Sequence, residues 1–314
     1  MRIKLFTHTD LDGVGCAILM KNVYKNDEID IEYCDYGNVN DKIEKFLNSN
    51  EDFNFDKVFI TDISVDESIS NRIQTKIELN ETYNKFILLD HHKTAEWLNR
   101  FDWAKVEENS KYLERKTSGT QMLHEWFISN NSEYIKNNWF NSKEFISMVN
   151  NYDTWYWKEI GDIKPKQLND LLYIYGRDKF IDKILYELDN CLLHFNPTDD
   201  LLLKLRQEDI DRYIEKKNKS IIKIELKGLS VGAVFAENYI SEVGNILCEL
   251  NKDLDLIALI NMDYSISYRT IKDHIDVSEF AKIFDGGGHK KASGSQIDVY
   301  MKDAIIEELF YKAY

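Results

Sequence analysis

Short apolar runs and helix-length segments alternate through the first half of the chain. Residues 3–7, 30–34, 57–61 and 85–89 read as strands. The last two, Lys57–Thr61 and Lys85–Leu89, are nearly continuous apolar stretches, as expected of strands buried on both faces of a parallel sheet. Val14–Tyr24, Asp41–Leu47 and Asp66–Leu79 lie between them at helix length. This order predicts an α/β domain with a doubly wound, mainly parallel sheet. Helices over Thr117–Asn130 and Ser142–Tyr152 would complete it, giving a first domain at 1–155. From 156 to 220 the pattern becomes helical and highly charged, as in Leu201–Leu205, and reads as a connector. Strand character returns at Ile221–Leu226, Ser230–Phe235, Leu256–Asn261 and Tyr264–Thr270. With a helix at Ser241–Asn251, these predict a smaller α/β domain at 221–314.

Composition narrows the setting. The 314 residues are 43% hydrophobic and 30% charged, and no apolar run approaches the roughly 20 residues that span a bilayer. Met1–Phe6 runs directly into a strand, without the apolar core of a signal peptide. No membrane partner and a cytoplasmic location are the expectations. Cys16, Cys34, Cys191 and Cys248 form no CxxC pair and read as reduced core thiols. Forty Lys and Arg face 55 Asp and Glu, a net charge of -15. A protein that wraps long nucleic acid neutralises many phosphates with a basic stripe, so any nucleic-acid substrate is expected to be short.

Chemistry concentrates at the strand ends. His8-Thr9-Asp10-Leu11-Asp12-Gly13 follows the first strand, Thr61-Asp62-Ile63-Ser64 the third, and Asp90-His91-His92-Lys93 the fourth. Asn150-Asn151-Tyr152-Asp153 follows a helix. In extended backbone His8, Asp10 and Asp12 would point to one side, and Gly13 would allow a sharp turn into the next helix. Singly these have ordinary readings: an Asp after a strand caps a helix, and adjacent histidines lie at the surface. Together they place carboxylates where open α/β sheets gather ligands, a crowding that cations would neutralise. Five carboxylates and two or three imidazoles without thiolate suit two Mn²⁺ ions, with Mg²⁺, Co²⁺ or Zn²⁺ as alternatives. Phosphoester or phosphoanhydride hydrolysis is the chemistry such a pair serves.

The ordered set HTDLDG, TDIS, LLDHHKT and NNYD resembles the N-terminal motifs of the DHH phosphoesterases, named for a triplet like Asp90-His91-His92. The resemblance implies that His8 and Asp10 hold one metal, that Asp12, His91 and Asp153 hold a second, and that Asp62 bridges both. Asp90 would orient a ligand, and His92 would contact the scissile phosphate or assist the leaving group. Near the C-terminus, Gly286-Gly287-Gly288-His289-Lys290-Lys291-Ala292-Ser293-Gly294 resembles the signature of the DHH-associated C-terminal domain. Glycine N–H groups can cradle phosphate, so Gly286, Gly287, Gly288 and His289 are candidate substrate residues. Arg269, in Ser265–Arg269, matches the phosphate-gripping arginine of that domain; a guanidinium forks onto phosphate oxygens.

Among family activities, the compact form with HTDLDG is similar to oligoribonucleases that degrade nanoRNA. The expected reaction is exonucleolytic release of nucleoside monophosphates from short single-stranded RNA, with short DNA or small nucleotides as further substrates. The alternative is a nucleotide phosphatase acting on 3′-phosphoadenosine 5′-phosphate, or a linear dinucleotide phosphodiesterase. A non-catalytic nucleotide-binding regulator would show eroded metal positions, yet each is filled. Oligomeric state stays open, with a homodimer among the options. Tyr152–Trp157 reads as core beneath the connector, with base stacking as its alternative.

Overall fold

The computed structural model describes residues 1–130, 139–190, 193–262 and 265–311; Cys191 and Tyr264, named above, lie outside them. The chain forms two compact units, Met1–Leu203 and Lys204–Tyr314.

The first unit is built on a five-stranded sheet in the order β2-β1-β3-β4-β5. Its strands are β1 (Arg2–His8), β2 (Glu28–Cys34), β3 (Lys57–Thr61), β4 (Phe86–Asp90) and β5 (Ala104–Val106). All four pairings are parallel. Helices α1 (Leu11–Val23), α2 (Val39–Asn48) and α3 (Glu67–Asn80) alternate with them. Side chains diverge to two faces with the pleat. Ile3 and Leu5 of β1, Phe59 of β3 and Leu89 of β4 join α1 in one core. Phe6, Val58, Ile60, Phe86 and Leu88 join α2 and α3 in the other. Each fully buried side chain of this size stabilises by about 1.5–3 kcal/mol, so both faces hold the sheet. The apolar runs at 57–61 and 85–89 are therefore the doubly covered strands their pattern predicted. In this strand order the sheet changes direction between β1 and β3, where ligands of open α/β folds collect.

β5 was not among the expected strands. Three residues give no periodicity to read; its pairing with β4 makes it a strand. It is followed by a ribbon of β6 (Asn109–Ser110) and β7 (Arg115–Lys116), then α4 (Gly119–Asn130) and α5 (Trp139–Asp153). The expected connector divides between the units. α6 (Tyr156–Ile160), α7 (Lys164–Tyr175) and α8 (Arg177–Asp189) belong to the first. Leu168, Leu171, Phe180 and Ile184 are buried in the same core as Ile3 and Ala17. α9 (Pro197–Asn218) contains the boundary, and its later residues Ile210 and Ile214 serve the second unit's core.

That second unit carries a six-stranded sheet in the order β12-β13-β11-β10-β9-β8. The strands are β8 (Ile222–Leu226), β9 (Leu229–Phe235), β10 (Leu256–Asn261), β11 (Ser265–Arg269), β12 (Gly287–His289) and β13 (Ala292–Gln296). β9 and β10 are parallel, joined through α10 (Ile240–Leu250), and the other pairs are antiparallel. Along β10, Ile257 and Leu259 face the α10 side, while Leu256 and Ala258 face α11 (Val277–Lys282). Cys16, Cys34 and Cys248 are free and buried. No helix among the described residues is long and apolar enough to cross a membrane.

Candidate metal centre

The ends of β1, β3 and β4 bring the acidic and imidazole residues of the first unit together. Their ligand atoms fall into sets lying within 4.8 Å of one another: His8 with Asp10 and Asp62; Asp12 with His91 and Asp153; and Asp62 with Asp90, His91 and His92.

Local sequence explains each placement. β1 stops at His8, and Asp10 caps α1 by accepting from the Asp12 and Gly13 N–H groups through Oδ1, both at 3.1 Å. Its other oxygen, Oδ2, remains 2.9 Å from His8 Nδ1. Asp12 is thus helical, not the third member of an extended alternation, because the Asp10 cap starts α1 at Leu11 rather than Val14. Gly13 makes no turn. It lies within α1, where a Cβ would come 2.2 Å from the His8 carbonyl oxygen, so the missing side chain lets the helix start against the strand.

Asp62 lies just past β3 with φ +57, a left-handed conformation that costs most residues energy and that Asp and Asn tolerate best. Its side chain is turned inward and only 1% exposed. Oδ1 is 3.2 Å from His91 Nε2, and Oδ2 is 3.8 Å from His8 Nδ1. The two carboxylate oxygens therefore face the two residue sets. His91 Nε2 also lies 3.7 Å from Asp12 Oδ2 and 3.6 Å from Asp153 Oδ2. Asp153 is the last residue of α5.

Electrostatics argue that the centre is built for cations. Burial first, then the charges of Asp12 and Asp10, push the Asp62 carboxyl well above its usual range. The same causes raise Asp153. Burial lowers the His91 pKa, with the Asp12 charge opposing, which favours the neutral imidazole. Asp10 goes the other way: burial would raise it, but the His8 hydrogen bond and charge bring it to about 2. Asp62 Oδ2 is buried and makes no hydrogen bond, and an unpaired buried polar atom is costly. An inward ring of oxygen and imidazole donors with an unsatisfied atom fits divalent cations.

Asp90 occupies a different position. Its Oδ1 is 2.7 Å from His92 Nδ1 and accepts from the His91 N–H at 2.8 Å, while Ser64 Oγ donates to Oδ2. Burial opposes it, yet the His92 hydrogen bond holds the Asp90 carboxyl below its usual range. For His92, burial would lower the pKa, but the Asp90 hydrogen bond and charge raise it. The pair is an anchored carboxylate with an imidazole disposed to carry a proton.

Three participants were not read from the sequence. Gly119 and Thr120 open α4 and donate to Asp12 through their N–H groups, at 2.5 Å to Oδ2 and 2.8 Å to Oδ1. A Cβ on Gly119 would lie 2.6 Å from the Asp62 Cβ. The only local signal was a TSGT helix start. Tyr36 places its hydroxyl 3.1 Å from His92 Nε2 and packs its ring edge-on to the same imidazole. Nothing in its sequence surroundings marked it.

The substrate residues expected near the C-terminus lie in the second unit. Strand register aligns Arg269 with Ala292, and Ala292 with His289, in one row across β11, β13 and β12. The Arg269 stem packs on α10, where a Cβ on Gly244 would come 2.6 Å from its Cγ, and Nη1 donates to the Tyr268 carbonyl at 3.0 Å. Gly287 and Gly288 open β12; just before it, Gly286 lies where a Cβ would meet the Gly294 carbonyl at 2.2 Å, and Gly288 has φ +138. Gly287 and His289 are exposed.

No family model matches the chain. It is 36% identical over 310 residues to the oligoribonuclease NrnB of Bacillus subtilis, covering 98% of this chain and 75% of that protein. To a 3′,5′-cyclic-nucleotide phosphodiesterase of Helicobacter pylori it is 25% identical over the whole of both. Its fold is similar to a crystal structure of RecJ in complex with Mn²⁺ from Thermus thermophilus, at a TM-score of 0.57 and 14% identity, covering 99% of this chain and 52% of that one. With four motifs in order around one acidic centre, and a relative of this closeness along nearly its full length, the chain belongs to the DHH family of metal-dependent phosphoesterases.

Proposed function

We propose that the protein degrades short single-stranded oligoribonucleotides to nucleoside monophosphates, with two Mn²⁺ ions as its cofactor. The observation that carries this reading is the position of Asp62, with one carboxylate oxygen toward His8 and Asp10 and the other toward His91, Asp12 and Asp153. His8 and Asp10 would hold one ion, Asp12, His91 and Asp153 the other, and Asp62 both. Bound cations supply Lewis acidity to the phosphoryl group and the charge that activates water.

The chain's own groups supply the rest. As the P–O bond to the leaving ribose oxygen breaks, His92 gives that oxygen a proton from Nε2. Asp90 holds the imidazole through Nδ1 and favours its protonated form, an arrangement suited to general acid catalysis. Arg269, with Gly286, Gly287, Gly288 and His289, would hold substrate phosphate through its guanidinium and the backbone N–H groups.

The similarity to an oligoribonuclease supports a short RNA substrate. That to a cyclic-nucleotide phosphodiesterase favours a second reading, in which small nucleotides are hydrolysed at the same centre. A digestion series decides between them. End-labelled RNA and DNA of two to about ten nucleotides, cyclic mononucleotides and 3′-phosphoadenosine 5′-phosphate are each incubated with Mn²⁺. Fastest turnover of RNAs of two to five residues is expected; intact short RNA beside hydrolysed mononucleotides would reject the first reading.

A further inference from the structure

Tyr152 packs against the core of the first unit, but none of Trp155, Tyr156 and Trp157 after Asp153 is fully buried, and Trp155 is 44% exposed. Trp155 has φ +61, which turns the chain sharply between α5 and α6, two residues after Asp153. Its ring stacks with that of Trp157 at 6.2 Å and 27°, and Lys158 Nζ lies 4.8 Å from its centroid.

Arg115, on β7, reaches the same stretch. Its guanidinium lies 4.1 Å over the Tyr156 ring, and one of its nitrogens donates to Asn151 Oδ1 at 2.8 Å. Among the described residues no carboxylate pairs with Arg115 or Lys158. Two buried donors here, Arg115 Nη1 and Trp157 Nε1, have no hydrogen-bond partner.

Burying an N–H without an acceptor is costly, so two such donors beside an exposed indole favour a ligand that brings acceptors. That ligand must be flat, to cover Trp155; rich in acceptor atoms, to satisfy the donors; and negatively charged, to suit two unpaired cations. An apolar ligand would leave the donors unpaired, and a cation would be repelled by Arg115 and Lys158. A nucleotide has all three properties, because each base offers a π-face and ring acceptors while its phosphate offers oxygens.

We propose that Trp155, Trp157 and Arg115 form a subsite for a nucleotide adjoining the phosphate that is cleaved. Trp155 stacks on the base, and Arg115 Nη1 donates to an oxygen of the neighbouring phosphate. This rests on the oligoribonuclease reading and deepens it: short RNA is selected by one base platform next to the cations rather than by a long basic track.

The test compares full-length wild type with Trp155→Ala, Trp155→Phe and Arg115→Gln, using a triribonucleotide and its analogues made abasic at each position in turn. Trp155→Ala should raise KM for the intact trinucleotide about tenfold, within the range of base–aromatic stacking, with kcat nearly unchanged. It should leave KM unchanged for one of the abasic analogues, and Trp155→Phe should restore most of the loss. Arg115→Gln should raise KM for intact and abasic substrates alike. Equal shifts of Trp155→Ala on every substrate, or none on any, would overturn the subsite. If wild type cleaves no oligoribonucleotide, the functional reading fails, and tryptophan emission still tests the subsite. Quenching by adenosine monophosphate but not by ribose 5-phosphate, lost in Trp155→Ala, supports it; no quenching in wild type overturns it.

Discussion

Asp62 concentrates the costs of the centre in one side chain. Its backbone is left-handed, its carboxylate is buried, and one oxygen has no partner. Strain of this kind, at about 1–3 kcal/mol, persists where surrounding structure enforces it, commonly at functional sites. Asp62→Asn keeps the shape and the tolerance for positive φ but removes the charge. In chelator-treated protein this variant should melt higher, by roughly 3 °C if about 1 kcal/mol of repulsion is relieved. Mn²⁺ should raise the melting temperature of wild type, since a ligand at 100 times its Kd contributes about 2.7 kcal/mol, and should have little effect on the variant. Scanning calorimetry with and without metal checks both; a lower metal-free melting point would contradict the repulsion argument. His92, the proposed proton donor, lies outside the ligand sets around His8 and Asp153. His92→Asn should lower kcat on RNA by about 10²–10⁴ while bound Mn²⁺ stays the same by elemental analysis. A p-nitrophenyl phosphodiester, whose leaving group needs no proton, should lose far less. Equal losses on both substrates would mean that His92 does something else.

Elements, not single residues, bring the donors into register. The Asp10 cap starts α1 at the strand end, and the N-terminus of α4 fixes Asp12 through two N–H donors. A helix N-terminus suits a carboxylate because its free N–H groups and dipole favour negative charge. Two glycines permit these contacts, Gly13 against the end of β1 and Gly119 against Asp62. Gly119→Ala would force a methyl group to within 2.6 Å of the Asp62 Cβ. Overpacking of this kind costs about 1–3 kcal/mol and would displace Asp62 relative to both residue sets. The expected result is a weaker Mn²⁺ affinity by isothermal titration, with a modest fall in metal-free stability. Unchanged affinity would show that α4 can recede without disturbing the centre. The motifs on these elements are legible in the sequence. The contact between Asp12 and Gly119 spans 107 residues and is not, since no local periodicity encodes a contact between distant segments.

Across the whole molecule, stability should depend on pH through groups away from the centre as well as within it. His124, in α4, is buried, and burial with the nearby charge of Lys143 brings its pKa to about 4. Unfolded, it would titrate near the ordinary imidazole value of 6.5. Between these values the unfolded chain binds the extra proton, so acid favours unfolding. The His124 contribution is complete above about pH 6.5, declines as pH falls, and is lost by about pH 4; at 1.36 kcal/mol per unit the total is at most about 3 kcal/mol. In urea titrations from pH 4 to 8, the stability of wild type relative to His124→Gln should therefore decline toward acid. A difference independent of pH would assign the group an ordinary pKa.

Local pattern determined the fold class. Strands buried on both faces must be apolar throughout and helices between them must repeat every three to four residues, so both can be read along the chain. Motif order likewise placed the acidic and histidine clusters at three strand ends, because side chains at those ends must be short and polar to leave room for a ligand. Other features depend on contacts between distant segments and had no local mark. Tyr36 meets His92 from 56 residues away, β5 is a strand only through its pairing with β4, and Leu168 and Phe180 leave the expected connector for the core of the first unit. Trp155 is the clearest case. An aromatic run has the same composition in a core or at a surface, and only a left-handed turn after Asp153 decides that this indole remains open to solvent.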